Sequence, residues 1–140
     1  KSLSVKDGMD MAAVIINKND GKIYYSGANN PLYLIKSDEF IETKADKMPV
    51  SIYLSMSSFT NHEFDISPGD SFYIFSDGFA DQFGGQKGKK LKYKKFKKLI
   101  YDNHDKSMNE QKEILEKAYY DWKQDYEQVD DILVMGIKID

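Results

Sequence analysis

The first half of the chain alternates short apolar runs with polar turns, as strands joined in hairpins do. Met9–Asn17 is rich in Val and Ile, and Lys22–Gly27 is its apolar counterpart. Between them stands Asp20-Gly21, a strong hairpin-turn signal. The spacing therefore predicts a hairpin here. Leu32–Lys36 and Phe40–Thr43 flank a short polar turn and predict a second hairpin.

Three further strands follow from the same kind of pattern. Phe59–Ile66 alternates apolar and polar residues and is typical of a half-exposed strand. Ser71–Ser76 carries apolar or aromatic side chains on both faces, which predicts a central strand that is covered on both sides. Asp130–Ile139 begins with two aspartates and continues as an apolar run, and we interpret it as the closing strand.

The apolar spacing changes to a helical period in the last third of the chain. Lys89–Tyr101 is predicted as a helix, and Ser107 opens a second helix that runs to about Lys123. Ser107 and Glu110 have the spacing of a capping box, in which each side chain bonds the backbone of the other residue. Strands, then two helices, then a strand favour an α+β layered fold over alternating βαβ units.

Composition narrows the chemistry that is open to this single-domain chain of 140 residues. Without cysteine, thiolate nucleophiles and cysteine–zinc sites are excluded, and two histidines cannot form a histidine-rich metal site. The longest apolar run, Met11–Ile16, is too short for a transmembrane helix. Eight lysines in Lys87–Lys98 suggest either a patch for nucleic acid or anionic lipid, or a solvated helix face. The net charge of −3 and the lack of arginine favour the solvated face, so we expect no nucleic-acid partner and no membrane insertion by this segment.

Acidic residues stand at the ends of two of the predicted central strands. Asp77 follows one strand, and Asp130 and Asp131 precede the other. If the strands are antiparallel neighbours, Asp77 and Asp130 meet at one sheet edge, where they repel unless a cation or a proton lies between them. Mg²⁺ and Mn²⁺ prefer such oxygen-only sites, and Gly78 would allow a tight turn beside the ion. By spacing alone, ordinary acidic turns remain the better explanation.

Four segments, in this order, resemble the metal-dependent protein serine/threonine phosphatases of the PPM (protein phosphatase 2C-like) superfamily. The similarity is greatest to the bacterial branch of the stage II sporulation protein E type, and it extends across nearly the whole chain. The segments are "DGMDMAAVIIN" at Asp7–Asn17, "YSGANNPLYLI" at Tyr25–Ile35, "PGDSFYIFSDGFADQ" at Pro68–Gln82 and "VDDILVMGIKI" at Val129–Ile139.

The resemblance implies a fold and a site. The fold is an antiparallel β-sandwich with flanking helices, here truncated at the N-terminus, with residues 1–140 as the C-terminal two-thirds or so of the domain. The resemblance implies that Asp77 and Asp130 are catalytic metal ligands of a centre with two Mn²⁺ or Mg²⁺ ions. It implies that Asp131 orients Asp130 or a bound water, and that Ser76 and Gly78 shape the loop. A metal-activated water would then hydrolyse phosphoserine or phosphothreonine without a protein nucleophile.

The same resemblance leads to expectations about activity and partners. The family's "GDFYD"-like and "D-x-x-GHG"-like motifs, which supply further metal ligands, are not in this sequence. We therefore expect the fragment to bind metal weakly or not at all, to have little activity by itself, and to dimerise through strand edges left unpaired. The full-length protein is expected to act in the cytoplasm, free or as part of a membrane-anchored signalling protein. Its substrate would be a phosphorylated regulatory protein in sigma-factor control.

Two other functions stay open at this point. The first is a catalytically inactive interaction module on the same scaffold, which substituted aspartates in the preceding sequence would indicate. The second is a binder of anions through the lysine-rich helix. The substrate, the upstream sensor and the choice between Mn²⁺ and Mg²⁺ cannot be inferred from these residues.

Overall fold

The computed structural model describes residues 7–52 and 57–140 of the chain. The strands are β1 (Gly8–Met9), β2 (Met11–Asn17), β3 (Lys22–Ala28), β4 (Leu32–Lys36), β5 (Glu39–Thr43), β6 (Val50–Ser51), β7 (His62–Asp65), β8 (Ser71–Phe75), β9 (Phe83–Gly84), β10 (Lys89–Lys90) and β11 (Val134–Lys138). The helices are α1 (Gly78–Asp81), α2 (Tyr93–Asn103) and α3 (Met108–Lys123).

Two antiparallel sheets form the body of the fold. One has four strands in the order β11-β8-β4-β5, and the other has three in the order β2-β3-β7. Both predicted hairpins are present, as β2–β3 and β4–β5. Strands β1 and β6 pair with each other, and so do β9 and β10. The predicted α+β fold of antiparallel sheets with flanking helices is confirmed.

Two hydrophobic clusters show how the layers are stacked. One cluster combines side chains from both sheets, with Ile23 and Phe72 among its buried residues, and fills the sandwich. The other lies between the four-stranded sheet and the helices, where Tyr73 and Phe96 are buried. Successive residues of a strand point to opposite faces, so β8 contributes to both clusters. The prediction of a central strand that is covered on both sides is therefore confirmed.

The predicted start of the first long helix was wrong. Lys89 and Lys90 form β10, which pairs with β9, and α2 begins only at Tyr93. Gly85 and Gly88 have positive φ values of 69° and 57°, which allow the turn between the two short strands. Leu91 is buried, and its backbone N–H bonds the Gln82 carbonyl at 3.0 Å, so it packs beside the hairpin instead of opening a helix.

The second long helix begins where the sequence predicts. The Ser107 hydroxyl accepts from the Glu110 N–H at 3.2 Å, and the Glu110 carboxylate accepts from the Ser107 N–H at 2.9 Å. Strand β7 is shorter than the predicted Phe59–Ile66: the Thr60 N–H and hydroxyl donate to the Asp46 carboxylate, so the Thr60 N–H makes no backbone bond to β3. No helix in the described part of the chain is long and apolar enough to cross a membrane.

Candidate metal centre

The register of β8 and β11 places the predicted acidic residues at one edge of the four-stranded sheet. The two strands are antiparallel neighbours, and Phe75 at the end of β8 lies opposite Val134 at the start of β11. The pairing continues one step further, since the Ser76 N–H donates to the Leu133 carbonyl at 3.0 Å. Asp77 and Asp130 therefore lie in the two loops that meet beyond this edge.

Ser76 ties these two loops together through its hydroxyl group. Ser76 Oγ accepts from the Leu133 N–H at 3.0 Å and donates to the Asp131 carbonyl at 3.1 Å. A side chain that can both donate and accept is needed for this pair of bonds. The structure thus gives Ser76 a way to hold the Asp130–Asp131 loop against the Asp77 loop, and its role in a metal site stays a prediction.

Gly78 is buried at the start of α1, directly against the backbone of the opposite loop. A Cβ atom added here would overlap the carbonyl oxygen of Asp131 and lie 3.0 Å from Cγ1 of Ile132. The backbone of Gly78 has an ordinary φ, so glycine is required by space and not by conformation. The close approach is what allows Asp77 and Asp130 to lie side by side.

We predict that Gly78→Ala both destabilises the fold and lowers metal affinity. Overpacking against a backbone carbonyl costs about 1–3 kcal/mol, and the strain is relieved only if the two loops move apart. Urea denaturation of the variant measures the first effect, and Mn²⁺ titration of the full-length protein measures the second. Ala80→Gly, in the same short helix, is the control: it lowers stability without separating the loops. Unchanged metal affinity in Gly78→Ala would show that the contact does not position the aspartates.

The carboxyl group of Asp77 lies near enough to that of Asp130 for the charge of Asp130 to act on it. The pKa of Asp77 is raised, first by partial burial of its carboxyl group, and then by the negative charges of Asp130 and Asp81 and a hydrogen bond with Asp130. The contribution of Asp130, which comes second to burial, is what two carboxylates produce when they are brought together without a counter-ion. Asp130 is held in turn by the backbone N–H of Asp131, which donates to Asp130 Oδ1 at 2.8 Å. The orienting contact thus comes from the Asp131 backbone, and a role for its side chain stays a prediction.

The donor set fits part of a site for hard divalent cations. Two carboxylates with oxygen ligands only are suited to Mn²⁺ or Mg²⁺. The nearby Asp81 is already paired with Lys90, with Nζ and Oδ1 3.2 Å apart. Within residues 7–52 and 57–140, no three His, Asp or Glu side chains form a group that could hold a metal ion. The described residues therefore supply two ligands at most, fewer than a closed site needs.

Gln82 supports the site, although nothing in its sequence context singled it out. Its side chain is 1% exposed, and its amide nitrogen donates to the Glu127 carbonyl at 2.8 Å. Its amide oxygen accepts from the Tyr119 hydroxyl at 2.8 Å, and its backbone carbonyl accepts from Trp122 Nε1 at 3.0 Å. Gln82 thereby fixes the end of α3, and the segment that leads to Asp130, against α1. The only sequence signal would have been a polar residue beside an apolar helix turn.

Comparison with known proteins identifies relatives of this arrangement. A family model described as Stage II sporulation protein E (SpoIIE) matches residues 2–140. No curated protein matches the chain. Among solved structures, the SiaA-PP2C domain of Pseudomonas aeruginosa is 25% identical with a TM-score of 0.86, and the match covers 94% of this chain and 52% of that one.

Two structures of SpoIIE from Bacillus subtilis show the same fold. One contains the PP2C phosphatase domain with a fragment of the regulatory domain; it is 17% identical, with a TM-score of 0.71 and coverage of 93% of this chain and 37% of that one. The other is the phosphatase domain presoaked with Mn, at 15% identity, a TM-score of 0.62 and coverage of 94% and 56%. The chain thus spans about half the length, or less, of the solved chains it was compared with.

Proposed function

This chain belongs to the stage II sporulation protein E (SpoIIE) family, and from that premise we propose that it supplies the C-terminal part of a metal-dependent protein serine/threonine phosphatase domain. In the full-length protein, this domain would hydrolyse phosphoserine or phosphothreonine on a bacterial regulatory protein. The PP2C-like fold is common to the phosphatase domains with which it aligns. The enzymatic activity, the substrate and the roles of the individual residues are what we propose.

One observation carries the proposal. The antiparallel pairing of β8 and β11 brings the loops of Asp77 and Asp130 together, and the negative charge of Asp130 helps to raise the pKa of Asp77. Ser76, Gly78 and Gln82 hold the two loops in this arrangement at a cost in repulsion between the aspartates. A fold that keeps like charges together at one edge is best explained by a cation that binds there.

The residues of this chain would bind and orient the reacting groups. Asp77 and Asp130 would hold the ions, and Ser76 and the Asp131 backbone would keep the two carboxylates in place. A bound pair of Mn²⁺ or Mg²⁺ ions would activate water and offset charge on the phosphoryl oxygens. The metal-activated water would replace a protein nucleophile and the ions would bind the phosphate, which agrees with the lack of cysteine and arginine in this sequence.

We propose that the remaining metal ligands come from the part of the domain that precedes this chain in the full-length protein. This is consistent with the two carboxylates described here and with coverage of only 52% of the SiaA domain. Binding by two carboxylates should be weak because Mg²⁺ and Mn²⁺ keep their waters unless more oxygen ligands replace them.

The proposal predicts different results for the full-length protein and the 140-residue chain. With Mn²⁺ and a small aryl phosphate, the full-length protein should show turnover that chelation by EDTA abolishes and added Mn²⁺ restores. The 140-residue chain should show little or no turnover and only weak Mn²⁺ binding in calorimetry. Turnover by the short chain at the rate of the full-length protein would contradict the need for further ligands.

An inactive interaction module is the second candidate function, and substituted aspartates in the part of the domain that precedes this chain would favour it over the enzyme. It predicts that the full-length protein lacks Mn²⁺-dependent turnover although it binds a phosphorylated regulatory protein. The aryl phosphate assay therefore distinguishes the two candidates.

The partners and location form part of the same proposal. We place the domain in the cytoplasm, with a phosphorylated regulatory protein as its substrate. Strand β11 is outermost in its sheet among the described residues, and a groove of about 610 Å³ lies between it and α3. Leu133, just before β11, and Met135, within it, are 58% and 44% exposed. These features support the expectation that the fragment dimerises there, and dimerisation stays a prediction.

A further inference from the structure

The lysine-rich segment, Lys87–Lys98, does not simply form a solvated helix face. Its first residues lie beside α1 and the loop that carries Asp77. The Lys92 N–H donates to the Ala80 carbonyl at 2.8 Å, which fixes Lys92 beside α1. Lys90 pairs with Asp81 in the same helix, and the Tyr93 ring lies 6.3 Å from the ring of Phe75 at the end of β8. The junction between β10 and α2 therefore borders the loop that carries Asp77.

Lys92 has a backbone conformation that lysine rarely adopts. Its φ is 75° and its ψ is 155°, a combination that is essentially restricted to glycine because a Cβ atom is crowded there. Its side chain caps no group of α2, so capping does not explain why a lysine stands at this position. Glycine would fit the junction with less strain. The presence of a lysine at this strained position therefore points to a role of its side chain in binding and not in stabilising the fold.

The charges nearby indicate what that use is. Asp77, Asp81, Asp130 and Asp131 make this edge acidic, which suits cations but repels an anionic phosphoprotein. Lys90 is already paired with Asp81. Lys92 is exposed and forms no ion pair with any residue of 7–52 or 57–140. Its backbone lies at the border of a negative site, so its exposed side chain offers a cation to an incoming substrate, and the complement of that cation is an acidic group.

We propose that Lys92 is a substrate-positioning residue whose ammonium group binds an acidic side chain next to the phosphorylated residue of the substrate protein. The inference rests on the proposed phosphatase function and specifies its substrate class: phosphoserine or phosphothreonine flanked by Asp or Glu. Lys92 attracts the acidic flank while the aspartates hold the cations. Lys92 therefore affects the hydrolysis of protein substrates. It does not affect the hydrolysis of a small aryl phosphate, which has no neighbouring acidic side chain.

The test compares three substrates of the full-length protein with Mn²⁺. They are a phosphopeptide with acidic flanks, the same phosphopeptide with the acids replaced by Gln and Asn, and an aryl phosphate. Lys92→Gly should lower kcat/KM for the acid-flanked peptide about two- to fivefold, mainly through KM, which is the effect of one exposed ion pair. The values for the neutral peptide and the aryl phosphate should not change, and Lys92→Arg should keep the wild-type preference.

Stability gives a second measurement that separates this role from a structural one. Lys92→Gly should raise the thermal midpoint by about 3–10 °C, because it removes the strained Cβ. If the variant is more stable and its kcat/KM falls only for the acid-flanked peptide, misfolding cannot be the cause of that fall. Lys18→Gly is the matched control, since it removes a lysine from the turn between β2 and β3, at the opposite end of the sheets from the site. It should leave the peptide preference unchanged.

The possible failures can be told apart. If wild-type protein does not distinguish the two peptides, or if Lys92→Gly retains the wild-type preference, the role of Lys92 is refuted while the phosphatase function stands. If aryl phosphate is not hydrolysed at all, the phosphatase function fails. Fluorescence anisotropy of the two labelled phosphopeptides then still tests Lys92: tighter binding of the acid-flanked peptide that Lys92→Gly removes supports the contact, and equal binding overturns it.

Discussion

Replacing Asp77 by asparagine should lower the Mn²⁺-dependent phosphatase activity of the full-length protein by about 10³-fold or more. A metal ion contributes several kcal/mol to the stabilisation of charge in the transition state, and each 1.36 kcal/mol corresponds to a factor of about ten in rate. The asparagine side chain keeps the size of aspartate but cannot supply the charge that binds the cation. Initial rates with an aryl phosphate and with a phosphopeptide measure the loss, and Mn²⁺ titration shows whether metal binding weakens in parallel.

The same substitution should make the metal-free fold slightly more stable. The raised pKa of Asp77 means that its ionised form is disfavoured in the folded state, by partial burial and by Asp130 and Asp81. At pH values above this raised pKa the charge of Asp77 opposes folding, and the penalty disappears as the pH falls and the group is protonated. Asparagine removes the penalty at every pH. Activity and stability should therefore change in opposite directions, as expected for a residue kept for function.

A matched control separates this effect from a general loss of charge. Asp20→Asn makes the same chemical change in the turn between β2 and β3, at the far end of the sheets from Asp77. It should leave both the rate and the Mn²⁺ affinity at wild-type values. If Asp77→Asn kept most of its activity and bound Mn²⁺ normally, Asp77 would not be a metal ligand and the proposed site would have to be abandoned.

Phe96→Ala should destabilise the chain by about 3–5 kcal/mol, which is a large part of the stability of a domain of this size. The Phe96 side chain is fully buried between α2, the four-stranded sheet and α1. Its ring lies 4.8 Å from that of Phe79 and 4.9 Å from that of Phe75. The cavity would be bordered by the helix that begins directly after Asp77, so the loss of stability should reach the candidate site.

Urea denaturation followed by the fluorescence of Trp122, the single tryptophan of the chain, measures this effect. Trp122 reports on the region because its ring lies 4.2 Å from Lys95 Nζ of α2 and its indole N–H bonds Gln82. Tyr120→Ala serves as the control, since that side chain is 66% exposed and its loss should cost less than about 1 kcal/mol. Equal stabilities of the two variants would mean that Phe96 is not central to the core.

Several features of the fold could be predicted because the residues that cause them are close in sequence. The capping box at Ser107 depends on two residues three positions apart, and the turn at Asp20-Gly21 fixes the first hairpin by itself. The start of α2 could not be predicted in this way. Leu91 fits a helical period, but its N–H bonds Gln82, and this contact depends on the pairing of β9 with β10, which brings the two residues together.

The sequence by itself determined the longer strands, the second long helix and the two aspartates that stand at strand ends, because periodicity, caps and turn residues act locally. Only the tertiary structure decided that Asp77 and Asp130 share an edge, since strand pairing joins residues more than fifty positions apart. It also decided why residue 78 is glycine, which depends on the space left by the Asp131 carbonyl. The strained Lys92 is of the same kind: nothing in a run of lysines distinguishes one whose backbone is held against α1 beside an acidic site.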